Sequence, residues 1–129
     1  LNEKQFYDWQ TLGGGNDVEK LVAILNQTGA KWCMIGGLAV NHWSREPMAT
    51  ADVDIVIGTD DIERCVAALE AAGFSAQHYQ WSVNLTGQSK VTIQISTDPR
   101  YRAFPESALT ADIHGIRMRI ATAADTLAG

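Results

Sequence analysis
The chain has 129 residues, enough for one domain with a buried core and too few for two independent ones. Its composition, 46% hydrophobic and 19% charged, is that of a soluble globular protein, and a formal net charge of −5 opposes a broad electrostatic grip on duplex nucleic acid. No apolar run reaches the roughly eighteen residues needed to span a bilayer, and Leu1–Trp9 lacks the basic-then-apolar layout of a secretory signal, so a cytoplasmic location is expected. Cys33 and Cys65 stand at no disulfide or zinc spacing and read as buried free thiols.

In chain order, Gly13-Gly14-Gly15-Asn16 separates an N-terminal segment, residues 1–16, from a domain over 17–129. Asn16 or Asp17 caps a helix that carries Val18, Leu21, Val22 and Leu25 on one face, and Gly29 ends it. Lys31–Ile35 is a short apolar strand, Gly36-Gly37 opens a helix through Trp43, and Pro47 marks that helix's end. Ala51–Ile57 is the second strand. Thr59 or Asp60 then caps a helix with Ile62, Cys65, Val66 and Leu69 inward, stopped by Gly73. From Trp81 the period changes to two: Trp81–Leu85, a Thr86-Gly87-Gln88 turn and Lys90–Ser96 make a hairpin. Pro99 and Pro105 bracket a loop, a last strand runs over Ile116–Ala121, and Ala123 starts a further helix. Five strands and interleaved helices predict an α/β (α+β) domain, a mixed twisted sheet with helices mainly on one face and an acid-bearing face left open.

The chemistry concentrates in two places. Side chains i and i+2 of a strand share a face, so Asp52 and Asp54 are expected side by side while Val53, Ile55 and Ile57 enter the core. Two adjacent carboxylates repel unless a cation lies between them, and hard oxygen donors suit Mg²⁺ or Mn²⁺. Gly36 and Gly37, lacking Cβ atoms, let a ligand approach the backbone where the next helix offers unpaired N–H groups and a positive dipole end to phosphate. Taken alone, the glycines also fit a plain strand-to-helix turn, and the acids an edge that discourages pairing.

Together, Ile35-Gly-Gly-Leu-Ala-Val40, Arg45 and Thr50-Ala-Asp-Val-Asp-Ile-Val-Ile57 resemble the nucleotidyltransferase superfamily that includes DNA polymerase beta, over about residues 17 to 125. Small bacterial abortive-infection and toxin-antitoxin proteins of that superfamily are similar in Gly-Gly-Leu-Ala and in an Arg upstream of Thr-x-Asp-x-Asp. The resemblance implies transfer of a nucleoside monophosphate from an NTP to a hydroxyl of RNA, protein or a small molecule. Asp52 and Asp54 would be the catalytic and metal-binding residues, and Gly36, Gly37 and Arg45 the nucleotide-binding ones. It further implies a C-terminal helical extension or a partner, toxin or antitoxin, to hold the acceptor. One position departs from the pattern. The third carboxylate, expected on the strand Val91–Ile95, is Gln94, which cannot ionise. Asp98, four residues on, begins a turn instead. A domain that binds nucleotide or a partner without turnover is therefore the second reading. Lys90 and the run Arg100-Tyr101-Arg102 are further contact candidates, a local basic patch in the C-terminal third is open, and His42, His78 and His114 lie at no metal spacing.

Overall fold
The computed structural model describes residues 14–44, 52–89, 91–113 and 115–128. Expectations for residues 1–13 and for Arg45, Pro47, Lys90 and His114 lie outside the described residues. Helix α1 (Gly14–Thr28) leads into β1 (Trp32–Ile35), α2 (Gly36–Ser44) and β2 (Asp52–Ile57); a 3-10 turn over Thr59–Asp61 then opens α3 (Ile62–Ala71). Strands β3 (Ser75–His78), β4 (Ser82–Thr86) and β5 (Thr92–Ser96) form a meander. After a second 3-10 turn, Pro99–Tyr101, come the one-turn helix α4 (Phe104–Ser107), the hairpin β6 (Leu109–Ile113) and β7 (Ile116–Ile120), and α5 (Ala123–Ala128).

The strands form one mixed sheet in the order β3-β4-β5-β2-β1-β7-β6. β2 runs parallel to β5 and β1 parallel to β7; the other neighbours are antiparallel. All five expected strands are present, and β3 and β6 are added at the two edges. Sequence periodicity passes over these two for a physical reason. An edge strand has one hydrogen-bonded neighbour, and in Ser75-Ala-Gln-His only Ala76 packs inward, so the alternation that marks an interior strand is absent.

The main core lies under α1 and α3. Val18, Leu21, Leu25, Cys65 and Leu69 meet Val53, Ile55, Leu85, Ile93 and Ile95 from the sheet, all fully buried. Each large side chain buried there stabilises by about 1.5–3 kcal/mol relative to exposure. Trp32 is buried beside them and its indole N–H donates to Asn26 Oδ1 at 3.1 Å, so the ring enters the core without an orphaned donor. Gly29 and Gly73 end α1 and α3 as expected, both at positive φ. At α3, Gly73 N–H donates to Glu70 O at 3.0 Å and Phe74 N–H to Leu69 O at 3.1 Å, the paired bonds of a Schellman end.

Two cap expectations are corrected. Helix α1 starts at Gly14, and Asp17 sits in its first turn, buried and turned toward the β4–β5 loop: it accepts from Gln88 N–H at 3.3 Å, Ser89 N–H at 2.9 Å and Ser89 Oγ at 2.5 Å. Asp61, not Thr59 or Asp60, precedes α3; it makes no side-chain cap bond and pairs with Arg64 at 2.6 Å instead.

The opposite sheet face is divided. Toward β1 and β7 a small cluster of Cys33, Val56, Ala108 and Ala121 is packed by Ile35, Tyr101 and Phe104. Trp43 Nε1 donates to Ala121 O at 2.7 Å, fastening α2 to the end of β7. Toward β5, β4 and β3 the same face is polar. Among the described residues no helix is long and apolar enough to cross a membrane.

Candidate active site
Residue Ile35, last of β1, lies opposite Asp54 in the antiparallel ladder, so the chain leaves the sheet and enters α2 immediately beside that aspartate. Gly36 makes this turn with φ +64°. A side chain there would be strained by roughly 1–2 kcal/mol for the left-handed backbone alone. It would also have no room, because an added Cβ would overlap Asp54 Oδ2 and stand 3.0 Å from the Cβ and Cγ of Asp54. Gly36 and the second acid are thus one packed unit. A half-buried carboxylate rests on the first residue of a nine-residue helix, where the leading N–H groups have no intrahelical acceptor and the helix dipole favours negative charge.

Asp52 opens β2 and its backbone pairs with Thr92. The placement of its side chain, of Gly37 beyond its backbone, and of Arg45 lies outside the described residues. On β5, Gln94 stands in parallel register beside Asp54, half-buried, at the position where the resemblance expects a third carboxylate. The register continues across the sheet: Gln94 pairs with Asn84 on β4, and Asn84 with Gln77 on β3. One level over, Thr92 pairs with Thr86, and Thr86 with Ser75. Two rows of neutral polar side chains therefore lead away from the acids toward the β3 edge.

Asn84 was missed by sequence reasoning. Its Oδ1 is buried with no hydrogen-bond partner among the described residues. The available signal was the alternation Ser82-Val-Asn-Leu-Thr86, which with the predicted hairpin puts residue 84 on the face opposite Val83 and Leu85.

Other candidates do not join this group. Asp98 lies beyond the end of β5, accepts from Arg100 N–H at 3.0 Å and pairs with Arg100 Nε at 3.2 Å, while the Arg100 guanidinium lies 4.7 Å from the centre of the Tyr101 ring. The described C-terminal arginines make no joint patch: Arg117 pairs with Asp112, and Arg119 donates to the carbonyls of Pro105 and Ala108 at 3.1 and 3.2 Å. Arg102 lines a cleft of about 530 Å³ with Lys31, Asp61, Arg64 and Glu106. That cleft adjoins the start of β1 and the end of β2, at the opposite ends of these strands from Gly36 and Asp52, so its volume does not make it the site. Within it Arg64 holds the Asp61 carboxyl below its ordinary range through a side-chain hydrogen bond. His42 is half-buried edge-on against Trp43 and His78 is exposed. Cys33 and Cys65 are free and buried, and burial raises both thiols, that of Cys33 to about 12. Among the described residues no three His, Cys, Asp or Glu side chains cluster as a metal site.

The fold recurs in solved structures. A lincosamide antibiotic adenylyltransferase, LnuA, in its lincomycin-bound form, matches at 12% identity and TM-score 0.66, over 88% of this chain and 83% of that one. The antibiotic-resistance factor ANT(2'')-Ia in solution matches at 14% and 0.63, over 83% and 64%; its complex with adenylyl-2''-tobramycin matches at 15% and 0.63, over 81% and 67%. The chain thus spans less than two thirds of the solution form of ANT(2'')-Ia. It has no match among curated protein sequences. The sequence profile of aminoglycoside-2''-adenylyltransferase matches residues 17–123, the stretch that contains the double glycine, the Asp-x-Asp strand and the polar rows. The chain has the nucleotidyltransferase fold and belongs to the aminoglycoside-2''-adenylyltransferase family.

Proposed function
We propose that the protein is a metal-dependent nucleotidyltransferase that moves a nucleoside monophosphate from an NTP to a hydroxyl of a small-molecule acceptor. The observation that carries this reading is the contact between the Gly36 backbone and the Asp54 carboxylate at the start of α2. In the reaction an acceptor oxygen attacks the α-phosphorus, a new P–O ester bond forms, the α–β bridging bond breaks, and pyrophosphate leaves with the electron pair. The hydroxyl proton goes to solvent. Gly36 and Gly37 open the backbone at the α2 N-terminus to the phosphates, and Arg45 pairs with them.

The donor set fits a hard divalent cation: Asp54 supplies carboxylate oxygens, Asp52 is two residues away on the same strand, and Gln94 adds a neutral amide oxygen beside them. Mg²⁺ or Mn²⁺ held there would neutralise the crowded acids and the charge on the phosphates. Gln94 can orient the attacking hydroxyl but cannot take its proton. A positioned base contributes about 10²–10⁴-fold, so turnover is expected to be slow.

Gln94 also favours a second reading, a catalytically degenerate domain that binds nucleotide or a protein partner, toxin or antitoxin among them, without turnover. The two are separated by labelled ATP, CTP, GTP and UTP with Mg²⁺ and an aminoglycoside or lincosamide acceptor. Transfer of label that Asp52→Ala abolishes supports the enzyme. Nucleotide binding that is insensitive to Mg²⁺, with no transfer to any acceptor, supports the binder.

A further inference from the structure
The cleft of about 530 Å³ at the far ends of β1 and β2 takes no part in the transfer reaction, and its charges are laid out in a way that points to a ligand of another kind. Helix α3 packs on one sheet face and α4 on the other, so the cleft sits astride the end of the sheet. One wall is the segment from Asp60 to Arg64 and the other the segment from Arg102 to Glu106. Lys31 lies between them: its backbone N–H donates to the Asp61 carboxylate, and its Nζ donates to Glu106 Oε1 at 3.3 Å.

Four of the charged side chains are paired, and the two pairs are unequal. Arg64 donates both to Asp61 Oδ1 at 2.6 Å and to Thr28 O, so that pair is committed to joining α1 to α3. Lys31 and Glu106 make a single contact at 67% and 68% exposure, a pair that water replaces at little cost. The remaining two, Asp60 and Arg102, are exposed, one on each wall, and neither side chain has a hydrogen-bond or ion-pair partner among the described residues. A polyphosphate entering the cleft would meet Asp60 and Glu106, and a polyammonium compound would meet Lys31 and Arg102, so like-charge repulsion disfavours both. Pockets that take small molecules are lined mainly by apolar side chains, whereas six of the ten residues lining this one are charged. Opposed charges on two walls suit a polypeptide, whose register they fix.

We propose that the cleft docks an extended segment of a partner protein that carries a basic and an acidic side chain, the basic one pairing with Asp60 and the acidic one with Arg102. The proposal is independent of the transferase reading. The experiment is NMR titration of the full chain with three end-capped peptides, Lys-Gly-Gly-Gly-Glu, Lys-Gly-Gly-Gly-Lys and Glu-Gly-Gly-Gly-Glu, whose flexible spacer lets the two charges find their own separation, and with glycine as a free zwitterion. The mixed-charge peptide is expected to bind most tightly and to shift the Gly58, Asp60 and Ala103 amide signals while leaving Gly36 in place. Arg102→Ala and Asp60→Ala should each weaken it about two- to fivefold, the range of an exposed ion pair.

Reversal of one charge should exchange the preference: Arg102→Glu is expected to favour the peptide with two lysines, and Asp60→Lys the peptide with two glutamates. Both positions are exposed, so the fold is retained, and an unchanged Gly36 signal in each variant checks it. Peptides that leave the cleft signals unmoved, that shift Gly36 instead, or that bind equally whatever their charge overturn the proposal, as does glycine binding as tightly as the mixed peptide, which would make the cleft a site for free amino acids.

Discussion

Replacement of Gly36 by alanine tests the packing on which the site depends. Two penalties are expected and can be separated. Gly36 holds φ +64°, and the left-handed backbone costs a non-glycine residue about 1–2 kcal/mol. The new methyl must then displace the Asp54 carboxylate, an overpacking term of about 1–3 kcal/mol. The structure supplies its own control: Gly29 has φ +72° with no atom within 4 Å of its added Cβ, so Gly29→Ala carries the backbone term alone. Urea unfolding followed by circular dichroism should therefore give a loss of about 1–2 kcal/mol for Gly29→Ala and about 2–5 kcal/mol for Gly36→Ala, with unchanged m-values. In a double-mutant cycle, Asp54→Ala removes the carboxyl group, and Gly36→Ala should then cost about 1–2 kcal/mol less than in the wild type. If Gly36→Ala and Gly29→Ala agree within about 0.5 kcal/mol, the limit of ordinary additivity, the carboxylate does not rest on that backbone and the reasoning fails.

Asp17→Ala, which strips three hydrogen bonds from the β4–β5 turn, should lower stability by about 2–4 kcal/mol and speed hydrogen exchange at the Ser89 amide; Asp17→Asn should cost less. The Cys33 thiol, pushed up by burial from 9.0 to about 12, is held neutral by the fold, so below pH 9 it has no effect. Above pH 9 only the unfolded chain loses the proton, and stability should fall by about 1.4 kcal/mol per pH unit, a slope that urea melts at pH 8 and pH 10 should find reduced in Cys33→Ala. Gln94→Glu places a third carboxylate beside Asp54. Without Mg²⁺ the like charges should lower stability by about 1–3 kcal/mol, and addition of Mg²⁺ should recover most of it while raising any label transfer; a thermal midpoint indifferent to Mg²⁺ would remove the metal from the account.

Much of the arrangement is legible in the sequence because the strongest signals are local. The run Val53, Ile55, Ile57 against Asp52 and Asp54, and Val91, Ile93, Ile95 against Gln94, each fix which face of a strand enters the core, and the glycines at 29, 36 and 73 mark turns that need positive φ. The missing parts depend on contacts far apart in the chain. Asp17 resembles a helix cap at the sequence level, yet its partners are more than seventy residues away, and local propensity carries no information about them. Asn84 takes on meaning only once β4 is placed two strands from β2, since the alternation of Ser82–Thr86 alone is that of any amphipathic strand. β3 and β6 lack the pattern because edges are half-paired.

Those two long-range features are linked. A slip of β4 by one residue against β5 would carry Asn84 into the core and bring Val83 and Leu85 out beside Gln94, so the polar row exists only in the register observed. Part of that register is enforced by burial, since Val83, Leu85, Ile93 and Ile95 all pack against the helices. The rest comes from the turn. Asp17, carried by α1, grips Gln88 and Ser89 and passes so close to Gly87 that an added Cβ would stand 2.8 Å from its Oδ1. Ser89 Oγ in turn accepts from Val91 N–H at 3.1 Å, which sets the residue that leads into β5. A carboxylate far from the acids thus fixes the hairpin, the hairpin fixes which residues face Asp54, and the neutral side chains it delivers there are what distinguish this chain's site from one with three acids.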